Sequence, residues 1–374
     1  MKVAVLLNLV ISVGKLLVCY FLMSVTSFMN IVRVCLLIPL LMAGMPLHSV
    51  AQEPNAQDSD IKTYNIYGKT MGNNYRVTWN ADSTTPQEVF SLRKKIESRL
   101  EEINASMSTW RKDSEISQFN EHTTNDEVQI SASLNHVLSK AISIGRVTDG
   151  ALDITVAPLV ELWGFGPTTN ARQVPNSAQI NEVLEYTGLD KIKLSGSKLS
   201  KNDPRTRLDL SSIAKGYGVD EIAALLERED IHHFLVDIGG ELVARGERLD
   251  GKPWQVGVDK PVVNGQGQVA MVSISDKAVA TSGDYRNFFE QDSTRFSHIL
   301  DPKTGRSVPR QVVSATVIAD DCASADALAT AAVVMGVKPA LAMAEKQRIA
   351  LMLIENYFGD VKFHHSKEFK TFLQ

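Results

Sequence analysis

The segment Asp321–Gly336, "DCASADALATAAVVMG", decides the fold class. Small and apolar residues fill it, so it predicts a helix covered on every side. Asp326 and Thr330 interrupt the apolar run. Residues four apart stand one above the other on a helix, so these two project oxygens to the same point. Hard cations such as Mg2+ take oxygen ligands, usually one or two carboxylates with phosphate and water. Ala323, Ala325, Ala327 and Ala329 leave room for another backbone to approach. An alternative stays open: Asp326 facing the helix dipole and Thr330 bonding back to a carbonyl.

A helix covered on all sides needs partners, and the flanking sequence supplies them. Upstream lie strand-like runs, "HHFLVDIGGELVARG" (232–246), "PWQVGVD" (253–259), "QVAMVSIS" (268–275), "KAVATSG" (277–283), "RFSHIL" (295–300) and "VVSATVIA" (312–319). Their connections carry Gly, Pro, Asp and Asn, as turns do. Downstream come "KPALAMAEKQ", with Pro339 near a helix start, and a last strand, "IALMLIE". Near the front, "IKTYNIYGKTMGNNYRVTW" (61–79) alternates as two strands around a turn near Gly72-Asn73-Asn74. Thr85-Pro86-Gln87-Glu88 has the form of a capping box. The helix it opens is expected to reach about Ala105, with Val89, Leu92, Ile96, Leu100 and Ile103 at helical spacing. Further helices are expected in 131–150, in 177–188, and from about Ser212 to Glu227. Helices beside an antiparallel run predict an α+β fold, a single domain over 63–374 with an antiparallel sheet flanked by helices.

The chain has 374 residues, 44% hydrophobic and 22% charged, with a formal net charge of −4. That balance gives no support to nucleic-acid binding, which usually shows a basic excess. Residues 1–51 form an almost continuously apolar leader. Each half approaches the roughly 20 residues of a membrane-spanning helix, so an uncleaved anchor is one reading. A start at Met29 fits the details better, with Arg33 in a short basic region, an apolar run to Leu41 and a small-x-small site at Ser49-Val50-Ala51. This predicts a cleaved export signal and a polar linker over 52–62. In the box "LMAGM", Met45 stands where a lipoprotein would carry its Cys. Cys322 is alone in the mature part and is expected to be a small buried residue.

Several other stretches carry candidate chemistry. In "LDLSSIAKGYGVD", Asp209, Ser211, Ser212 and Lys215 gather at a strand-to-helix entry, where backbone N–H groups favour anions. Asp209 or Ser211 serves equally well as a plain helix cap. Gly239-Gly240 marks a hairpin or bulge, or a close approach of ligand to backbone. Thr281-Ser282-Gly283 is expected to form a turn, with Asp284 beside it. His298 sits in an apolar strand before the polar turn Asp301-Pro302-Lys303-Thr304-Gly305.

Together "MGNNYRVTW", "MSTWRKDSEISQFN", "GALDITVAPLVELWGFGP", "LDLSSIAKGYGVD", "FLVDIGGELVARG", "PWQVGVDKP", "VATSGDYRNFF", "HILDPKTG" and "SATVIADDCASADALATAAVVMG" resemble the ApbE family, the Mg2+-dependent FAD:protein FMN transferases. The nine occur in the family's order across most of 63–340. The resemblance implies transfer of the FMN half of FAD to a Thr hydroxyl of a partner protein through a phosphoester, with release of AMP. It implies metal ligands at Asp326, Thr330 and Ser212, and flavin or phosphate contacts at Met71, Trp110, Ala151, Leu152, Asp153, Asp209 and Lys215. The expected general base is His298, with Asp284 as second choice. It also implies export to the bacterial periplasm, inner-membrane association and an acceptor among exported electron-transfer subunits. Asn73 departs from the Thr that usually follows "MG" in the family. Two other functions share the same pocket: a Mg2+-dependent FAD pyrophosphatase yielding FMN and AMP, and an exported flavin-binding protein without turnover.

Overall fold

Apolar runs buried on both faces build the centre of the molecule, an eight-stranded sheet whose middle strands are covered almost throughout. The structure, a computed structural model, describes residues 61–168, 170–259, 267–284, 287–357 and 360–373. The leader, and residues 52–60 of the linker, lie outside the described residues. The sheet comprises β1 (Lys62–Thr70), β2 (Asn73–Ala81), β3 (Phe234–Ile238), β4 (Glu241–Arg245), β5 (Lys277–Gly283), β6 (Val312–Ala319), β7 (Ala350–Tyr357) and β8 (Asp360–His365). The strands lie side by side in chain order, and every neighbouring pair is antiparallel.

The two faces are covered differently. Val236, Val243, Ala278 and Ala280 pack against helices. These are α1 (Pro86–Met107), α2 (Ala132–Val147), α3 (Ala214–Arg228), α4 (Cys322–Met335) and α5 (Val337–Gln347). Leu235, Leu242, Ala244 and Val279 point the other way and pack against the hairpin Trp254–Asp259 and Gln268–Ile274. This is the α+β architecture expected, an antiparallel sheet flanked by helices. Segment 321–336 is α4, and its residues from Cys322 to Val333 are buried apart from Ser324 and Thr330. At α1 both halves of the capping box form: the Glu88 N–H donates to Thr85 Oγ1 at 3.2 Å, and the Thr85 N–H donates to Glu88 Oε2 at 2.7 Å.

Three local expectations are corrected. The first hairpin turns at Met71-Gly72, not at Gly72-Asn73-Asn74. Both turn residues have positive φ, 48° and 72°, which matches the twist of the flanking strands. Asn73 already belongs to β2, and its side-chain amide donates to the Met71 carbonyl at 2.9 Å. Thr281-Ser282-Gly283 ends β5, as the strand reading of 277–283 has it and against the turn reading, because these residues pair with Ser314–Thr316 of β6. His298 lies between two short strands, Thr294–Ser297 and Leu300–Asp301, instead of inside one. The loop beyond it is anchored by Trp163, whose Nε1–H donates to the Gly305 carbonyl at 2.9 Å.

Candidate active site

Two helices meet backbone to backbone at the head of the site. Gly216 of α3 permits this, since a Cβ there would overlap the Cys322 carbonyl of α4. Carboxylates hold the N-terminus of α4. Asp220 accepts from the N–H groups of Cys322 and Ala323 at 2.7 and 2.9 Å. Asp321 accepts from the Ser324 N–H at 2.8 Å and from Lys140 at 3.0 Å. Burial pushes the Asp220 carboxyl up to about 6, against the pull of its two N–H donors.

The crossing sets Lys215 beside Asp326. The Gly216 N–H donates to Asp326 Oδ2 at 3.1 Å, and Lys215 Nζ stands 3.7 Å from Asp326 Oδ1. Lys215 Nζ lies closer, at 2.6 Å, to Glu241 Oε1 at the start of β4. Both carboxylates are deeply buried, with side-chain exposures of 3% and 5%. Desolvation pulls the Lys215 pKa down, but Asp326 and Glu241 outweigh it and hold the pKa above the ordinary lysine value. Desolvation raises both carboxylates in spite of Lys215, Glu241 to about 7. Two acids and one base therefore share a buried space, with one negative charge in excess when both acids are ionised.

These groups open into a cavity of about 430 Å3, within the span of small-molecule sites. Ala151, Leu152, Asp153, Asp209, Ser212, Lys215, His298, Asp326 and Thr330 all line it. Asp153 and Asp209 are brought together because the Asp209 N–H donates to the Ile154 carbonyl at 2.8 Å. Asp153 Oδ1 accepts from the Thr155 N–H and hydroxyl at 2.8 and 2.6 Å. Burial raises the Asp153 pKa even so. Asp209 caps no helix. It accepts from the Ser211 N–H at 2.7 Å, and α3 starts after Ile213 with no side-chain cap. Thr330 Oγ1 is 2.9 Å from Ser282 Oγ of β5, a contact across elements and not a bond back to its own helix.

His298 has a defined tautomer. Nδ1 lies 3.0 Å from the Asn287 carbonyl, which can only accept, so Nδ1 carries the proton and Nε2 is the acceptor nitrogen. Burial pulls its pKa below the ordinary histidine value; the Asn287 carbonyl opposes this, and the charge of Lys215 adds to it. At neutral pH the ring is a neutral base.

The remaining expected site residues do not line the cavity. Asp284 is buried at 2% exposure and pairs with Arg310 at 3.3 Å. Met71 packs against the core beside Gly218 of α3. Trp110 is 71% exposed. Conversely, the sequence reading missed Glu241. Its signal was a lone carboxylate opening the apolar strand "ELVA" right after Gly239-Gly240. Asn73, noted only as a departure, also lines the cavity.

The donors near Asp326 suit a hard cation: one carboxylate and the hydroxyls of Thr330 and Ser212, while the second buried carboxylate, Glu241, is paired with Lys215. No group of three or more His, Cys, Asp or Glu that could hold a metal occurs among the described residues. A cation here would complete its shell with ligand phosphate and water.

The model of the ApbE family matches residues 71–353. The chain belongs to the ApbE family. A Vibrio cholerae protein named FAD:protein FMN transferase is 42% identical over 313 residues, covering 82% of this chain and 92% of that protein. An Escherichia coli protein of the same name is 36% identical over 312 residues, covering 82% and 88%. The solved structure of the flavin transferase ApbE from Vibrio cholerae superposes with a TM-score of 0.77 at 40% identity, covering 84% of this chain and all of that one. The apo form of the flavinyl transferase ApbE from Pseudomonas stutzeri gives 0.76 at 32% identity, covering 83% and 97%.

Proposed function

We propose that this ApbE-family protein transfers the FMN half of FAD to a threonine hydroxyl of a target protein and releases AMP. The observation that carries this is the convergence of Asp326, Thr330, Ser212 and Lys215 with Asp153, Asp209 and His298 on one cavity. In this reading the acceptor hydroxyl attacks the phosphorus on the FMN side. The bond from that phosphorus to the bridging oxygen breaks, and AMP leaves with that oxygen. His298 Nε2 takes the hydroxyl proton. Asp284 is the weaker candidate for this step, because it is paired with Arg310 and lies off the cavity.

Asp326, Thr330 and Ser212 would hold Mg2+, which when bound neutralises phosphate charge and favours the leaving group. Lys215 supplies a point charge near the phosphates that it shares with Glu241, and Ala151 and Leu152 supply apolar wall for the flavin. Asp153 and Asp209 accept hydrogen bonds from ring or sugar. Export to the periplasm, with membrane association and an exported electron-transfer subunit as acceptor, rests on the leader sequence and on family resemblance. Among the described residues no helix is long and apolar enough to cross a membrane.

The test is incubation of the purified chain with FAD, Mg2+ and a threonine-bearing acceptor, followed by intact-mass measurement. An FMN-sized increment that disappears when Mg2+ is chelated is expected. FMN and AMP formed at full rate without acceptor would make the enzyme a pyrophosphatase. FAD left intact would make it a binding protein.

A further inference from the structure

We infer that Glu241 is a positioning residue that keeps Lys215 off Asp326, so that the Asp326 carboxylate stays available to a divalent cation. The inference rests on the metal-dependent function proposed above. It begins from an inequality in distance: Lys215 Nζ is 2.6 Å from Glu241 Oε1 but 3.7 Å from Asp326 Oδ1. The ammonium makes a direct charge-assisted bond to one carboxylate and only faces the other.

The sheet prevents Glu241 from drifting. It opens β4 opposite Ile238 of β3, immediately after the tight Gly239-Gly240 hairpin. The Gly240 N–H donates to Asp237 Oδ1 at 2.9 Å, which pins that hairpin. A Cβ at Gly239 would crowd Asn73, so the hairpin also lies against β2. Glu241 is 4% exposed, and its Oε2 is left without a hydrogen bond from the described residues. A buried carboxylate tolerates such isolation only with a cation close by, and Lys215 is that cation.

Lysine carries its charge on a flexible four-carbon stem. Without the Glu241 charge, the buried anion left facing Lys215 is Asp326. A small stem movement would turn the 3.7 Å approach into a direct pair and occupy the carboxylate that the cation needs. Glu241 thus acts on the metal through Lys215.

The experiment measures Mn2+ binding to the full chain from the free-ion EPR signal, without FAD, in wild type, Glu241→Gln, Glu241→Asp, Lys215→Met and the Lys215→Met/Glu241→Gln double variant. Melting curves establish that each is folded at the assay temperature. Glu241→Gln is expected to bind about tenfold or more weakly, equivalent to about 1.4 kcal/mol, with Glu241→Asp in between because it keeps the charge. In the Lys215→Met background, Glu241→Gln is expected to have no further effect, because the competing ammonium is gone. Unchanged Mn2+ affinity in Glu241→Gln overturns the inference. So does an equal loss in both backgrounds, which would make Glu241 itself a ligand. If wild type binds no Mn2+ and transfers FMN in the presence of chelator, the metal-dependent function fails and this inference with it. Should the double variant not fold, Lys215→Met/Glu241→Asp takes its place, with no further loss expected and a loss equal to that of Glu241→Asp alone overturning the inference.

Discussion

Asp326→Asn separates the chemistry of the site from the stability of its scaffold. The substitution keeps the shape of the side chain and removes its charge. Its effect on folding is a difference between two large quantities. Unit charges at the 3.7 Å of Lys215 and Asp326 attract by about 4–5 kcal/mol at an effective dielectric of about 20. Burying a carboxylate costs several kcal/mol. Burial raises the Asp326 pKa in spite of Lys215 and the Gly216 N–H, so desolvation is the larger of the two. Lys215 meanwhile retains Glu241 at 2.6 Å, and the new amide oxygen can still accept from Gly216. The stability change is therefore expected within about 1 kcal/mol of zero or favourable, a shift in melting temperature of no more than about 2–4 °C downward. Turnover should behave otherwise. Metal-based charge neutralisation is worth several kcal/mol, and each 1.36 kcal/mol is tenfold in rate, so FMN transfer should fall by about a thousandfold. Scanning fluorimetry of the variant, beside a flavinylation time course at saturating Mg2+, makes the comparison. A collapse of the melting temperature would show that Asp326 serves the scaffold, and an undiminished rate would remove it from the metal site.

Lys215→Met leaves Glu241 and Asp326 buried without their cation, and should cost about 3–5 kcal/mol in a denaturant titration, part of which added Mg2+ restores; a cost near zero would mean the two acids do not rely on the lysine. His298→Gln should lower kcat by about 10²–10⁴. Because burial lowers the His298 pKa, the neutral base persists below the usual 6.5, and the wild-type rate should fall on the acid side only under that pH; an acid limb above 6.5, or one that survives in His298→Gln, points to another base. Gly216→Ala forces α3 and α4 apart at the Cys322 carbonyl, with an overpacking cost of about 1–3 kcal/mol that a melting curve should detect. Wild-type stability in that variant would show that the helices have slack where they cross.

The parts of the molecule that were legible in sequence are those specified locally. The capping box at Thr85–Glu88 is a four-residue pattern, and it forms as expected. The apolar runs in 232–319 mark strands, because short apolar stretches bounded by turn residues can be read without knowledge of the partner strand. Asp326 and Thr330 could be placed on one helix face from spacing alone, and they line one cavity. What failed depends on partners distant in sequence. Thr281-Ser282-Gly283 is open to both a strand and a turn reading, and only its pairing with Ser314–Thr316 decides for the strand. Glu241 is unremarkable in "GGELVARG" until α3 sets Lys215 against it. The Nδ1 tautomer of His298 depends on the Asn287 carbonyl, eleven residues away across a short hairpin.

The charge count of the cluster bears directly on why a metal should be needed at all. Lys215 is often the kind of residue expected to attract a phosphate alone, yet here its charge is already answered by Glu241 at 2.6 Å. With both acids ionised, Asp326 leaves the buried group one charge negative, and Asp153 and Asp209 line the same cavity. The diphosphate of FAD is itself anionic. Brought in alone, it would meet a cavity wall of like sign, at a dielectric low enough to make the repulsion costly. A divalent cation held by Asp326 would offset that charge, and the hydroxyls of Thr330 and Ser212 would add oxygen donors without adding charge. On the proposed function, then, the acids around Lys215 would make the cavity favour the dinucleotide together with a divalent cation over the dinucleotide alone.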